Sequence, residues 1–410
     1  MSFSLKQPIV YVARDLERTL GLSLTTKGYY IISNYTPFAN SLSKGRKNVL
    51  LIKNKELLDT RDLLSHSSAQ EFIRALKNPQ ILVFKNTPLL EKMCTQNGFK
   101  LLNPSAELSN LVEEKISQVQ WLGNLKKFLP AHEVKAAKEI KWQNKKFILQ
   151  FNRAHTGSGT VLVESESQLK EIQKTFPDRP VRITKYIEGM MLTNNNVVCG
   201  KNTLCGNINV QITGIAPFTN REFATVGNDW GYAHKILNSK QKKEYEKIAK
   251  AVGEKLGQNG WRGLFGIDVM LEIKTGKLYL IEINARQPAS TSFESQLQQK
   301  KSKTGLTTFQ AHLLALLGEK KSGAKLTSII DGAQITQKVM PLKNKISVKK
   351  ISQNIAKFCK DKFAVFLYEN TEIESDWIRM QSSKGILKDQ NTLNKIGEKC
   401  RDLSLSILKN

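Results

Sequence analysis

The first hundred residues alternate short apolar runs with amphipathic stretches. The apolar runs predict five strands, at 8–13, 29–33, 48–52, 81–84 and 99–103. The stretches between them, including DLERTLGLSLTTKG and TPLLEKMCTQNG, are predicted to be helical. Strands that alternate with helices indicate a parallel α/β layer. No GxGxxG stands in this region, which argues against a dinucleotide-binding dehydrogenase.

The pattern changes after residue 104. SAELSNLVEEKISQVQWLGNL predicts one helix with an acidic first half. Further on, apolar runs predict strands at 145–151, 160–165, 181–187 and 195–200, with a helix over SQLKEIQKTF. Glycine-bearing turns between these strands favour an antiparallel sheet of an α+β unit.

The second half of the chain contains a long amphipathic helix over 239–260 and two strands at 263–273 and 277–285. A polar, glycine-containing stretch at 219–235 is predicted to be a loop before that helix, and a last helix is predicted near 391–409. The four predicted segments are therefore 1–108, 109–200, 201–325 and 326–410, the last without an assigned role.

Length and charge change this picture only slightly. The 410 residues exceed one compact core, and 63 Lys+Arg against 36 Asp+Glu give a net charge of +27. Because the lysines are spread along the whole chain, a lysine-rich proteome is favoured over a polyanionic partner, and nucleic acid is left open.

The chain has no run of about 18 apolar residues, so no membrane association is predicted. Scattered cysteines and the lack of a secretory signal predict a reduced, cytoplasmic compartment.

The segment GIDVMLEIKTGKLYLIEINAR places oxygen ligands on a hairpin. Asp268 lies on one strand, and Glu282 and Asn284 lie two residues apart on the same face of the other. Carboxylates in an apolar surround need a compensating charge, and oxygen donors suit Mg²⁺, with Mn²⁺ left open. Arg286 follows on the same face, where it is suited to hold a phosphate or carboxylate. The alternative is a hairpin whose acids face solvent.

A second segment, AHTGSGTVLV, joins two predicted strands. Its main-chain N–H groups are suited to wrap a phosphate, at Thr156, Gly157, Ser158, Gly159 and Thr160. It is not a Walker A loop, because GxxxxGK[ST] is missing. Gly-Ser-Gly alone is more typical of an ordinary hairpin turn, so it indicates a phosphate site only together with the metal hairpin.

Together these segments resemble the ATP-grasp superfamily over most of residues 1–320. Glu114-Lys115 matches the helix position that carries a lysine, TGSGT the phosphate loop, and ITKYIEG (183–189) the adenine-binding hinge. The metal hairpin has the E-x-N-x-R form, similar to that of biotin carboxylases. The resemblance implies an ATP-grasp fold of α/β and α+β class: an N-terminal pre-ATP-grasp domain (1–108), a lid (109–200) and a metal and substrate subdomain (201–325).

The resemblance also implies a set of site residues. Asp268, Glu282 and Asn284 would bind Mg²⁺, and Arg286 would contact phosphate or substrate. ATP would be bound by the loop together with Lys115, Gln150, Lys185, Tyr186, Ile187 and Glu188, with the main chain of Lys185 and Ile187 facing adenine.

Two positions depart from the family pattern. Gln150 stands where many members place a phosphate-binding lysine, and the candidates to compensate are Lys115, Lys146 and Arg153. Met191 stands where relatives often carry a glutamate for the ribose hydroxyls, and Glu188 is the candidate substitute.

The reaction implied by the resemblance is ligation. ATP would convert a carboxylate to an acylphosphate, which an amine or other nucleophile then attacks; the substrate would be an amino acid, peptide or small metabolite. Arg221 is a candidate clamp for the substrate carboxylate, and Ser290 and Glu294 lie where family members shape the substrate site.

A biotin-carboxylase-like reaction stays open and would need a separate carrier. The alternative function is a catalytically weak shell that binds nucleic acid or another polyanion. A homodimer is left open.

Overall fold

The computed structural model describes residues 3–152, 159–301, 305–319, 323–341, 363–368 and 370–408. Three sheets organise these residues: a parallel N-terminal sheet, a small antiparallel lid sheet and a large antiparallel central sheet. None of the helices in the described ranges is long and apolar enough to cross a membrane.

The N-terminal sheet consists of parallel strands, which confirms the predicted α/β layer. Its strands are β1 (Ile9–Val12), β2 (Tyr29–Asn34), β3 (Val49–Ile52), β4 (Gln80–Val83) and β5 (Lys100–Leu101), in the order β3-β2-β1-β4-β5. The helices around it are α1 (Pro37–Ser43), α2 (Thr60–Ser65), α3 (Ser67–Arg74) and α4 (Pro88–Gln96). β1 and β4 are buried throughout, which explains their continuous apolar sequence.

The stretch after β1 was predicted to be helical, and this prediction is wrong. Only Leu16–Thr19 is helical, as a short 3-10 turn. Leu16, Leu22 and Leu24 are all buried. On one α-helix these three leucines would not share a face, so burying all of them requires an irregular path.

The helix predicted after residue 104 forms as two, α5 (Ala106–Glu113) and α6 (Lys115–Leu122). Glu114 between them is extended, with φ −69° and ψ 134°. The N–H groups of Lys115 and Ile116 donate to Asn152, to its main-chain O at 3.2 Å and its Oδ1 at 2.9 Å. Because Asn152 caps the start of α6, Lys115 occupies the first position of that helix.

The lid sheet is antiparallel, as predicted, with α7 (Glu166–Thr175) packed on one face. Its strands are β6 (His132–Ala136), β7 (Phe147–Phe151), β8 (Thr160–Val163) and β9 (Pro180–Lys185), in the order β6-β9-β7-β8. The register places Gln150 of β7 between Thr160 of β8 and Arg182 of β9.

The central sheet receives strands from residues 189 to 382. They are β10 (Gly189–Cys199), β11 (Asn202–Leu204), β12 (Asn209–Thr213), β13 (Thr225–Asp229), β14 (Gly263–Glu272), β15 (Leu278–Asn284), β16 (Ala333–Lys338), β17 (Ala364–Leu367) and β18 (Asp376–Ser382). The order is β15-β14-β10-β12-β13-β16-β18-β17, with β11 paired to β10. The remaining α-helices of the described ranges are α8 (Trp230–Ile236), α9 (Ser239–Gln258), α10 (Thr291–Lys301), α11 (Thr308–Leu316) and α12 (Lys395–Leu408).

This sheet crosses two of the predicted segment boundaries. The predicted boundary at residue 200 falls in the turn between β10 and β11. That boundary assigned β10 to the lid, but β10 pairs with β14 of the central sheet. The predicted final segment, 326–410, adds β16, β17 and β18 to the same sheet.

The stretch at 219–235, predicted to be a loop, contains β13 and α8. Asp229 ends the strand and caps the helix, its Oδ1 accepting from the N–H of Tyr232 at 2.7 Å. Trp230 is fully buried against Phe293. The polar residues of this stretch therefore serve a buried strand and a helix start.

Candidate active site

Two carboxylates lie side by side on the hairpin of β14 and β15. Asp268 and Glu282 are register partners, with a bulge directly after Asp268. Thr193 of β10 is the partner of Asp268 on its other side. Cross-strand partners have Cβ atoms about 5 Å apart, so the structure brings these two predicted ligands together.

Asp268 is half-buried and hydrogen-bonded by amides. It accepts from Nε2 of Gln211 at 2.8 Å and from Nδ2 of Asn284 at 3.2 Å. Burial, followed by the neighbouring charge of Glu282, raises the pKa of Asp268 to about 6. Both effects disfavour the charged form, so Asp268 loses its proton less readily than an ordinary aspartate.

Glu282 is the more readily ionised member of the pair because a lysine faces it. Nζ of Lys115, at the start of α6, lies 2.5 Å from Oε1 of Glu282. Burial raises the pKa of Glu282, but the charges of Lys115, Arg286 and Arg182 together bring it below its ordinary value. The predicted Glu114-Lys115 position is thus joined directly to the predicted metal hairpin.

Arg286 is held at the edge of this cluster by Glu113, at the end of α5. Its Nη1 pairs with Oε1 of Glu113, and Nζ of Lys85 lies 2.5 Å from Oε2 of the same glutamate. Burial lowers the pKa of Arg286, but Glu113 and Glu282 raise it, with a net increase. Arg286 therefore stays cationic and fixed beside the carboxylates.

Gln150 of the lid is bonded to an arginine that sequence reasoning did not single out. Its Oε1 accepts from Nε and Nη2 of Arg182, at 2.8 and 2.5 Å. Nη2 of Arg182 also donates to the main-chain O of Ile281 at 2.9 Å, which links the lid to the metal hairpin. The remaining partner of Arg182 is Oε1 of Gln118 on α6, at 3.3 Å.

Two of the three residues proposed to compensate for Gln150 lie in the described part of the chain, and both have other partners. Lys115 pairs with Glu282. Nζ of Lys146 lies 4.3 Å from the centre of the Tyr186 ring, and its side chain is half-exposed. Arg153 lies outside the described residues. Arg182 is the cation that contacts Gln150.

The predicted phosphate loop is described only at its second end. Thr156, Gly157 and Ser158 lie outside the described residues. The main-chain O of Gly159 accepts from the N–H of Phe151 at 2.9 Å. Thr160 begins β8, and its Oγ1 accepts from Nε2 of Gln150 at 3.3 Å. The segment therefore joins the ends of β7 and β8 next to Gln150.

The predicted adenine hinge differs from expectation at Lys185. Its main-chain N–H donates to the main-chain O of Ala131 at 2.9 Å, because the chain leading into β6 continues the pairing with β9. The N–H of Lys185 is therefore not available to adenine. Its side chain lies on the surface, with Nζ 3.7 Å from Oε1 of Glu272.

The hinge continues from the end of β9 to the start of β10. Ile187 is buried, and Glu188 is exposed while its main-chain O accepts from the N–H of Ile273 at 3.0 Å. A Cβ at Gly189 would lie 2.2 Å from the main-chain O of Leu271. Only glycine permits this close crossing between the lid and the central sheet. Met191 follows on β10, opposite Met270.

Three residues predicted to shape the substrate site are not brought to the carboxylates. Arg221 is exposed in the connection between β12 and β13. Glu294 is fully buried, and Asn195 and Asn207 donate to its two carboxylate oxygens. Ser290 also bonds Asn195. Glu294 and Ser290 thus belong to a buried amide network beneath the sheet.

Comparison with known proteins supports the same architecture. A sequence profile of the ATP-grasp domain family matches residues 112–290. A search of curated protein sequences finds no match.

Solved structures resemble the whole chain at low identity. One is a carboxyaminoimidazole ribonucleotide synthase from Aspergillus clavatus in complex with ATP, with 14% identity, 98% of each chain covered and a TM-score of 0.64. An N5-carboxyaminoimidazole synthetase from Staphylococcus aureus in complex with ADP gives 11% identity, 99% of this chain and 98% of the other, and a TM-score of 0.62. A phosphoribosylamine–glycine ligase from Thermotoga maritima gives 12% identity, 98% and 96% coverage, and a TM-score of 0.61.

At these identities the structural likeness establishes the fold, and the family profile locates the matching domain within it. The chain has the ATP-grasp fold, with an ATP-grasp domain over residues 112–290.

Proposed function

We propose that the chain is an ATP-dependent ligase that activates a carboxylate as an acylphosphate for attack by an amine. The observation that carries this proposal is the half-buried pair of Asp268 and Glu282, in which Lys115 bonds Glu282 and Arg286 lies at the edge. Two adjacent carboxylates with cations on both sides form a surface that complements a metal-bound polyphosphate.

The donor set fits Mg²⁺. Asp268, Glu282 and Asn284 offer oxygens on adjacent strands, and the like charges of the two acids favour a cation between them. The described residues contain no cluster of three or more His, Cys, Asp or Glu that would form an all-protein cage. Mg²⁺ with few protein ligands and substrate phosphates follows this pattern. When bound, the ion would neutralise charge on the β- and γ-phosphates.

The proposed reaction has two displacement steps. A carboxylate oxygen of the substrate attacks the γ-phosphorus, the bond between that phosphorus and the bridging oxygen of ADP breaks, and ADP leaves. The amine nitrogen then attacks the acyl carbon, the acyl carbon–oxygen bond breaks, and inorganic phosphate leaves as the nitrogen loses a proton. In this proposal Arg286, which stays cationic beside the carboxylates, binds the negative charge of the acylphosphate.

The names of the structural neighbours support this reaction class. One of them contains ADP and 5-aminoimidazole ribonucleotide, which carries an amine, and another is called a phosphoribosylamine–glycine ligase. For this chain the proposal stops at the class: one carboxylate and one amine. Arg221, Ser290 and Glu294 receive no role in it.

The first test is nucleotide binding followed by turnover. Mg-ATP at about 100 times its dissociation constant should stabilise the native state by about 2.7 kcal/mol. Thermal unfolding with and without Mg-ATP should show this shift in the wild type and lose it in Asp268→Asn and Glu282→Gln. Asp178→Asn removes an exposed lid carboxylate and is the matched control.

Turnover is then measured as ADP release with pairs of carboxylates and amines. Release that needs both substrates and both acids supports the ligase. A wild type that shows no Mg-ATP response would overturn the proposal and favour the alternative, a polyanion-binding shell with the +27 charge as its basis.

A further inference from the structure

We propose that Arg182 is a positioning residue that holds Gln150 as a hydrogen-bond donor to the phosphates of ATP and supplies the positive charge that Gln150 lacks. This inference rests on the proposed function, because it concerns the same nucleotide site. The family pattern expects the phosphate-binding cation at position 150 on β7, whereas Arg182 lies on the neighbouring strand, β9.

The hydrogen bonds leave the amide of Gln150 one orientation. Both donors from Arg182 reach Oε1, so this oxygen must face the guanidinium. Reversing the amide would point its NH2 group at N–H groups that can only donate. Nε2 consequently faces Thr160, at the end of the predicted phosphate loop. Arg182 thus directs an N–H donor toward the place where the loop returns to the sheet.

The second argument is charge. Arg182 is 1% exposed, and within the described residues its hydrogen-bond partners are all neutral: Gln150, Gln118 and the main-chain O of Ile281. Burial lowers the pKa of Arg182 to about 10 although the charge of Glu282 opposes this shift, and the guanidinium stays cationic at neutral pH. A buried cation without a bonded carboxylate is costly to keep. A polyanionic ligand nearby offsets that cost.

The location supports a ligand rather than a packing role. Arg182 donates to three elements that border the site: β7, α6 and β15. Its partner on β15 is Ile281, the residue before Glu282. A charged donor strengthens the hydrogen bonding of the amide that accepts from it, since each bond polarises the next. Gln150 and Arg182 together therefore present what a lysine would: a donor backed by positive charge.

Binding of Mg-ATP by titration calorimetry tests this pairing. Arg182→Met should weaken binding about tenfold, because a charge-assisted contribution is lost. The double variant Gln150→Lys/Arg182→Met moves the charge to the tip of β7 and should recover most of that loss. Arg179→Met removes a cation from the surface of the same sheet, where Arg179 stacks on Phe151, and should bind like the wild type.

The double variant separates a ligand role from a purely structural one. It restores charge near the phosphates without restoring the bonds from Arg182 to Gln118 and Ile281. If Arg182→Met is too unstable to purify, the affinities of Arg182→Lys and of the double variant are compared with that of the wild type. Only variants with a native circular dichroism spectrum are compared. Arg182→Lys keeps the charge but not the paired donors to Oε1 of Gln150, so an intermediate affinity is expected.

Two results would overturn the inference. One is wild-type affinity in folded Arg182→Met, and the other is a double variant that binds no better than Arg182→Met. Either leaves the proposed function intact, because the wild type would still bind Mg-ATP. A wild type that fails to bind overturns the proposed function itself, and this inference with it.

Discussion

Two arginines are buried among the residues that the structure describes, and their surroundings are opposite. Arg182 of the lid is bonded only to neutral groups within the described chain. Arg379 of β18 is 5% exposed, with Nη1 3.1 Å from Oε1 of Glu17 and Nη2 2.8 Å from Oδ2 of Asp376. Burial lowers the pKa of both arginines, but around Arg379 the neighbours Tyr368, Glu17 and Asp376 reverse the shift.

The difference separates structural charge from functional charge. Arg379 is neutralised by the chain itself, and it ties the N-terminal turn that carries Glu17 to the last strands of the central sheet. Lys338 of β16 adds a further contact, with Nζ 2.6 Å from Oδ1 of Asp376. Arg182 has no hydrogen-bonded carboxylate among the described residues, and the negative charge nearest to it in effect is that of Glu282, a proposed metal ligand. We therefore propose that its charge serves a ligand. Burial alone therefore does not tell the two roles apart, whereas the partners do.

The largest effect is expected from removing the neutralised arginine. Arg379→Met leaves the buried Glu17 and the half-buried Asp376 without their shared cation, and breaking such a group costs about 3–5 kcal/mol. Urea unfolding of the wild type and the variant measures this loss. Arg401→Met breaks a surface pair with Glu398 and should cost at most about 1 kcal/mol. A loss of that small size for Arg379→Met would erase the distinction between the two arginines.

The second test uses pH. Burial raises the pKa of Asp376, but Arg379 and Lys338 lower it to about 2. A carboxyl whose pKa falls on folding stabilises the native state above its unfolded pKa of about 3.9 and loses this contribution as pH falls toward the folded value. Its contribution at neutral pH is about 2 kcal/mol.

The difference in unfolding free energy between wild type and Asp376→Asn should therefore shrink as pH is lowered from about 5 to about 3. Asp178→Asn, on the lid surface, serves as the control and should show no such change. A difference that stays constant with pH would mean that the ion pairs around Arg379 do not stabilise the fold.

The sequence predicted the hairpin of β14 and β15 well because its information is local. Asp268 and Glu282 lie on consecutive strands joined by a short turn, so period-two alternation is enough to place Glu282 and Asn284 on one face. The parallel and antiparallel sheets were predicted for the same reason: strand patterns and connection types are properties of neighbouring residues.

Arg182 could not be found in this way. Alternation along β9 sets it on the face opposite Val181 and Ile183, which pack in the lid core. From sequence that opposite face is expected to meet solvent. It is covered because α6 and the metal hairpin pack there, and both contacts depend on tertiary structure. The break at Glu114 has a similar origin, since the cap of α6 comes from Asn152.

The smallest expected effect concerns Lys146, a cation close to the hinge that was a candidate to replace the missing lysine. Its contact with the Tyr186 ring is half-exposed, and cation–π contacts at exposed sites are worth about 0.5–1 kcal/mol. Lys146→Met should therefore change the Mg-ATP dissociation constant by no more than about fivefold. Titration calorimetry of Lys146→Met and Arg182→Met under the same conditions compares the two losses of Mg-ATP affinity directly. If the Lys146 variant loses more affinity than the Arg182 variant, the charge that serves the phosphates comes from the exposed lysine, and burial beside neutral partners would not mark a functional arginine here.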